Sequence, residues 1–510
     1  MEKDPNGQDQ HGQEQEIEED KETLLKYVNI KKFHFVMLLF LTVLATAGVS
    51  IFALSFGDEK TVKVGVVPER TEFTKLYEAY DKINADYFSD IEGSDLVDGA
   101  INGMIDALDD PYSDYMNQEE ASQFNENISS SFQGIGAEIQ SLDDFITVVS
   151  PIKGSPAERS GILPNDKILA VDEENIQGMS ANEAVLLIRG EKGTDVTLTI
   201  QRDGMQDTIN IKITRDDIPI DTVYYEMDDN KIATVQLTSF SEHTLDELTT
   251  ALDDLQSQGM EAMILDMRQN PGGLLDQAIE IADLFVPKGE KIVQLEGKSG
   301  EKQIITAQAG DKIDIPVAVL IDEGSASASE IVAAAISETT DIPLIGQTTF
   351  GKGTVQTAEE FSDQSNLKMT TGRWLTPNDN WVNEDGIVPD KEISLPDYAF
   401  LPFLDVEIAL EESMLSEQVR IAQQMLQAVG FDPGNVDGFF DTDTKEAVEE
   451  FQQDKELEVT GVIDEGTAAA IMLALRDKLE QNDPQVEAAV DYLLKETGIE
   501  ETTESEEDAA

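Results

Sequence analysis

The chain contains no cysteine and only three histidines among its 510 residues. Without cysteine there is no thiolate nucleophile, no thiolate metal site and no disulfide. His11 lies in an acidic N-terminal stretch and His34 at the edge of an apolar run, which leaves His243. That count does not make a histidine zinc site. A Ser–His–Asp arrangement has only His243 to draw on, and Ser241-Glu242-His243-Thr244-Leu245 reads as a helix start with a solvent-facing imidazole. Basic residues are scarce too: 35 Lys and Arg stand against 104 Asp and Glu, a formal net charge of -69. Phosphate backbones are held by clusters of Lys and Arg, so nucleic acid is not an expected partner. A strongly acidic, solvated surface is one adaptation to high salt.

What is present reads as several domains. Residues 1–33 are polar and acidic, and a run without charge extends from Phe35 to Phe56, preceded by Lys26, Lys31 and Lys32. Its length suits one bilayer crossing over residues 34–57, and the flanking charges place the N-terminus inside and the rest outside, a type II single-pass anchor. From Phe73 to Leu108 apolar residues recur at helical spacing, which predicts two amphipathic helices within an N-terminal region of residues 58–117. That face either packs on the next domain or forms a homodimer interface.

From 118 to 216 the pattern turns to short strands: Gly136–Ile139, Phe145–Val149, Lys167–Val171 and Asp195–Gln201, with a helix at Ala181–Ile188. Gly134-Ile135-Gly136, Gly154-Ser155-Pro156-Ala157-Glu158 and Asn165 to Val171 occur in the order seen in PDZ domains, which this segment resembles. The resemblance implies capture of an extended peptide C-terminus by strand addition, with Gly134, Ile135 and Gly136 as the carboxylate loop.

Residues 217–397 alternate apolar strands with helices, an α/β pattern. Val317-Ala318-Val319-Leu320-Ile321 is a buried strand, and Asp322 to Ser329 is a small-residue turn with three serines that runs into a helix beginning near Glu330. Such a turn aims free helix N–H groups at its contents, where an oxyanion would be stabilised. A second strand, Ala262–Met267, runs into the glycine turn Arg268-Gln269-Asn270-Pro271-Gly272-Gly273. Gly346 to Lys352 nearly spells a phosphate loop but has Gly353 where Ser or Thr would hold magnesium. With histidine missing, Lys352 is the available general base, provided burial lowers its pKa. In an extended segment Gln356 shares its face and can orient the amine.

These residues carry a second resemblance. Asp266 to Gly273, Glu323 to Ile331, Thr349 to Gln356 and Gly386-Ile387-Val388-Pro389-Asp390 are similar to the carboxyl-terminal processing peptidases, tail-specific serine proteases. The resemblance implies a Clp-protease/crotonase-like core with an inserted or preceding PDZ domain. It assigns Ser327 as nucleophile, Lys352 as base, Gln356 as the lysine-positioning residue, and the N–H groups of Ala328 and Gly273 as the oxyanion hole. Ser325 and Ser329 then have structural roles, Ser329 as helix cap, and Arg189 would link peptide capture to the dyad. No cofactor or metal is expected.

After a linker at 398–412, residues 413–478 resemble the helical peptidoglycan-binding domain, with Val436-Asp437-Gly438-Phe439-Phe440 and Val459 to Asp464 among the matching positions. Residues 479–510 read as a short helix in an acidic tail. The function expected is that of a membrane-anchored endopeptidase at the cell wall face of a Gram-positive bacterium. Its substrates would be flexible proteins with apolar C-termini, and peptidoglycan its wall partner. The alternative from another class is a catalytically silent scaffold that binds peptide tails and peptidoglycan.

Overall fold

The computed structural model describes residues 70–498, apart from 143–144, 203–204, 206, 310–312 and 407, together with Lys31, Lys32, Met37 and Thr42. The apolar run expected to cross a bilayer lies almost wholly outside these residues. Among the described residues no helix is long and apolar enough to span a membrane. The chain divides into two compact units, residues 1–91 and 92–510. The first contributes the helix Thr74–Asp86, which buries none of its residues.

The second unit is built on a six-stranded sheet, in the order Val223–Met227, Ile232–Leu237, Ala262–Asp266, Val317–Ile321, Leu344–Gly346, Lys391–Glu392. Only the first pair is antiparallel. Successive side chains on a strand point to opposite faces, and here both faces are covered. Val317, Val319 and Ile321 pack with the helices Thr244–Gln258, Leu275–Ala282 and Ala328–Thr339. Ala318 and Leu320 face the other way, onto Ala488, Ala489 and Leu493 of the helix Pro484–Thr497. That arrangement explains why the strand is apolar at every position rather than at alternate ones.

The short helix expected within residues 479–510 is Pro484–Thr497, but it is packed on the sheet rather than part of an acidic tail. Its chemistry looks tail-like because acids surround it, yet its apolar stripe closes the core. The linker expected at 398–412 also differs, because Leu404 and Leu410 are buried in the core of the C-terminal module. That module is three helices, Glu417–Ala428, Thr442–Asp454 and Glu465–Gln481. Each is capped by a side chain, from Ser416, Asp441 and Asp464, that accepts a backbone N–H of the first turn.

A second, antiparallel sheet carries Asp114–Met116 against Asn366–Leu375, which also pairs with Lys291–Gly297 and Thr354–Glu360. Residues before the PDZ-like segment thus belong to the core, so that segment is an insertion. Its two ends are held together as the antiparallel pair Ser131–Gly134 and Asp216–Pro219. Between them, Ala137–Leu142, Phe145–Pro151, Lys167–Val171, Asp195–Gln201 and Ile209–Thr214 form a sheet, with Ala137–Leu142 at an edge and the helix Ala181–Ile188 alongside. The helix Gly93–Asp106, like its predecessor, buries no residue.

Candidate active site

Ser327 is the residue immediately before the helix Ala328–Thr339, at φ 55° and ψ -108°. A non-glycine residue in that region is strained and is held there only by its surroundings. The three serines of the turn now differ. Ser325 is fully buried and donates to the Met267 carbonyl at 2.8 Å, while its oxygen accepts the Asp322 N–H at 3.0 Å. Ser329, equally buried, donates to the Asn270 carbonyl at 2.9 Å. It is therefore not the helix cap expected; it ties the helix to the neighbouring glycine turn. Ser327 lines an open cleft of about 670 Å³, whose walls also include Gly273, Ala328, Lys352, Gln356, Lys368 and Tyr112.

The glycine turn reaches this cleft because it has no side chains to keep it away. A Cβ on Gly272, at φ 102°, would sit 2.7 Å from the Ala326 oxygen and 2.9 Å from the Ser327 Cβ. The Gly272 N–H is occupied, donating to Asn270 Oδ1 at 2.9 Å. Gly273 faces Phe240 as an isolated bridge whose hydrogen bonds run from Phe240 N–H to Gly272 O and from Leu274 N–H to Phe240 O. The Gly273 N–H takes no part in them. Ala328, at the first helical position, likewise has no carbonyl four residues back within the helix.

Lys352 lies in a loop pinned on both sides. The Trp374 indole donates to its carbonyl at 2.8 Å and the Trp381 indole to the Gly353 carbonyl at 2.9 Å. Burial holds the Lys352 ammonium below its ordinary pKa, and the charge of Lys368 adds to that, with Glu330 and Asp110 pulling the other way. No hydrogen bond links Ser327 to the Lys352 amine here; Nζ lies over the Tyr112 ring, 4.9 Å from its centroid. The amide of Gln356 is not on Lys352 either. It donates to Thr354 Oγ1 at 2.9 Å and Thr370 Oγ1 at 3.1 Å, beside a register shift between Val355 and Gln356. His243 is exposed and is not among the residues of this cleft.

One residue here had no signal beyond its helix position. Glu330 is fully buried, and its carboxylate accepts the N–H groups of Ser327, Gly351 and Lys352 and the Thr349 hydroxyl. In the inserted domain, Gly136 has φ 73° and a Cβ there would meet Ser155 Cβ at 2.4 Å. Ile135 and Gly136 form the link between two strands, and Gly134 ends the first of them. Arg189 does not enter the cleft. It pairs with Glu126 at 3.1 Å and lies over the Phe132 ring, 4.8 Å from the centroid. Glu126 sits on the helix Gln118–Ser129, whose Phe124 and Ile128 do line the cleft.

A serine at a strained strand-to-helix turn, a half-buried lysine and free backbone donors in one cleft are the parts that a hydrolase of the serine type needs. Comparison with known proteins narrows this. Residues 231–393 match peptidase family S41, 133–213 a PDZ domain, 416–471 a peptidoglycan binding domain, and 53–120 the N-terminal domain of the activating protease CtpB. The carboxy-terminal processing protease CtpA of Bacillus subtilis is 48% identical over 84% of this chain and 91% of its own length. CtpB of the same organism is 40% identical over 82% and 88%. The photosystem II D1 C-terminal processing protease aligns at 27% identity over 64% of this chain and 87% of its own, with a TM-score of 0.38. The chain belongs to the carboxy-terminal processing proteases of peptidase family S41 and is a serine protease.

Proposed function

We propose that this protease is anchored by residues 34–57 outside the cytoplasmic membrane and cleaves polypeptides whose apolar C-termini its PDZ domain captures. Ser327 attacks a peptide carbonyl, Lys352 takes its proton, and the N–H groups of Gly273 and Ala328 hold the oxyanion. The amine expelled from the tetrahedral intermediate leaves with a proton, and water then hydrolyses the acyl-enzyme. The observation that carries this reading is that Ser327, Lys352, Gly273 and Ala328 share one cleft, whereas Ser325 and Ser329 are buried and already bonded.

In the conformation described, Lys352 rests on Tyr112 and Gln356 on two threonines. Catalysis then requires the amine to turn toward Ser327, with Gln356 swinging over to orient it. Peptide capture at Gly134, Ile135 and Gly136 would favour that turn through Arg189, Glu126 and the helix that carries Phe124 and Ile128. The free edge of Ala137–Leu142 supports strand addition there. The domain limits 118–216, 217–397 and 413–478, peptidoglycan as wall partner, and a homodimer through the uncovered faces of Thr74–Asp86 and Gly93–Asp106 belong to the same proposal.

The test uses an unfolded protein with an apolar tail and the same chain with an amidated C-terminus. Ser327→Ala and Lys352→Ala should each abolish cleavage, and amidation should slow it in the wild type. Activity that survives both substitutions would sink the dyad; equal rates on the two tails would remove the capture step.

A further inference from the structure

The backbone of residues 269–273 is left-handed at Gln269 (φ 55°), Gly272 (φ 102°) and Gly273 (φ 149°). Glycine adopts such values freely, but Gln269 does not, so the turn keeps its shape there only where its surroundings over-determine it. On its inner side Asp322 does this, accepting the Gln269 N–H at 2.8 Å and the Gln269 amide at 2.7 Å. On its outer side the restraint is Arg268. Its Nε and Nη2 grip Asp266, the last residue of the preceding strand, at 2.7–3.2 Å. That grip is local and ties the turn only to its own strand. Nη1 reaches beyond it, to Asp483 Oδ2 at 2.6 Å and Gln485 Oε1 at 2.9 Å.

These two acceptors open the C-terminal helix that covers the sheet. Asp483 divides its oxygens: Oδ1 caps the helix by accepting the Gln485 and Val486 N–H groups at 2.9 and 3.2 Å, and Oδ2 takes the guanidinium. Gln485 is fully buried, and its Nε2 donates to the Ile393 carbonyl at 2.7 Å, just past the sheet's edge strand. The helix is thus fixed to the sheet by its apolar stripe and to the turn by one guanidinium arm.

We propose that Asp483 and Gln485 are positioning residues for the oxyanion turn: through Arg268 they set where the Gly273 N–H points. The proposal rests on the oxyanion role given to Gly273 above. A donor a fraction of an ångström out of place supports the developing charge less while ground-state binding is unaffected.

Asp483→Asn in the full chain is the discriminating variant. Its carboxamide oxygen still caps the helix, while its NH2 opposes the guanidinium. Expected are a kcat lower by about tenfold, an unchanged KM, and an equally weakened affinity for a peptide aldehyde that mimics the tetrahedral adduct, since a donor's loss costs 10²–10³ and misplacement less. Asp483→Glu, which keeps a carboxylate for Nη1 and leaves the bond from Gln485 to the Ile393 carbonyl intact, should retain most of kcat, which a merely structural role would not require. Should Asp483→Asn fail to fold, Gln485→Met, which removes one acceptor and keeps the ion pair, should show the same pattern to a smaller degree. A kcat within twofold of wild type in the folded variant, or a loss that falls on KM, overturns the proposal. If Ser327→Ala is inactive while Asp483→Asn is unchanged, only this inference fails; an active Ser327→Ala enzyme instead removes the dyad on which it stands.

Discussion

Glu330 Oε2 accepts the backbone N–H of Lys352 at 2.8 Å and, on the same oxygen, that of Ser327 at 2.7 Å. One buried carboxylate therefore joins the loop of the proposed base to the turn of the proposed nucleophile. Its other oxygen takes the Gly351 N–H at 2.7 Å and the Thr349 hydroxyl at 2.6 Å. Glu330→Gln would put an NH2 against donors on one side or the other. Leaving buried donors unpaired costs ~1–3 kcal/mol each, so the variant should melt several degrees lower and lose activity. Calorimetry with a cleavage assay checks this; a variant as stable and active as wild type contradicts it.

The three serines of the turn should separate by readout. Ser327→Ala should abolish cleavage and leave the melting temperature nearly unchanged, because its side chain faces an open cleft. Ser325→Ala removes a buried donor to Met267 and should cost ~1–3 kcal/mol of stability while retaining measurable turnover. Denaturant unfolding beside kcat decides the matter. Turnover in Ser327→Ala, or a stable but inactive Ser325→Ala, would reverse the assignment.

The pH profile follows from Lys352. Burial is the largest cause of its lowered pKa, with Lys368 adding to it. Proton abstraction needs the neutral amine, so kcat/KM should rise with pH through a value below the ordinary 10.5. Lys368→Gln removes one of the two depressing influences, and the rising limb should move to higher pH. Linkage gives the sign for folding. Between the lowered folded value and the unfolded one, the unfolded chain binds more protons, so this group's contribution to stability increases with pH across that window. A rising limb that stays in place in Lys368→Gln would count against Lys352 as the base.

Gly273 tolerates no side chain. A Cβ there would lie 2.1 Å from the Phe240 oxygen, at φ 149°. Gly273→Ala should push the two segments apart, destabilise the core by ~2 kcal/mol or more and eliminate turnover. Gly300 is a control, because its added Cβ meets nothing within 4 Å, although its φ of 77° leaves some backbone strain. Gly300→Ala should remain active.

Arg189 and Glu126 form a partly exposed pair, so breaking it should cost stability less than ~1 kcal/mol. The larger effect is expected on activation. Arg189→Ala should lower cleavage of the apolar-tailed substrate toward the rate on the amidated one, and Glu126→Ala should add little to it. Additive losses in the double variant, or none in either, would disconnect the pair from peptide capture.

Sequence alone determined the elements whose evidence is local. Val317–Ile321 is apolar at every position and is a strand buried on both faces. Asp195–Gln201 and Ala181–Ile188 likewise occur where alternation and helical spacing place them. With no cysteine and little histidine, lysine is the base that the composition leaves. Tertiary structure decided what local pattern cannot encode. The spacing of Pro484–Thr497 displays an apolar stripe but does not name the sheet it covers, and acids on both sides make it look like a tail. Ser325, Ser327 and Ser329 are equivalent in a run of alternating small residues; they differ only in which carbonyls a distant segment brings within reach. Glu330, Arg268 and Gln356 likewise take their partners across the fold. Hydrogen bonding is directional and short-ranged, so its partners are settled only once the backbone has brought remote residues together.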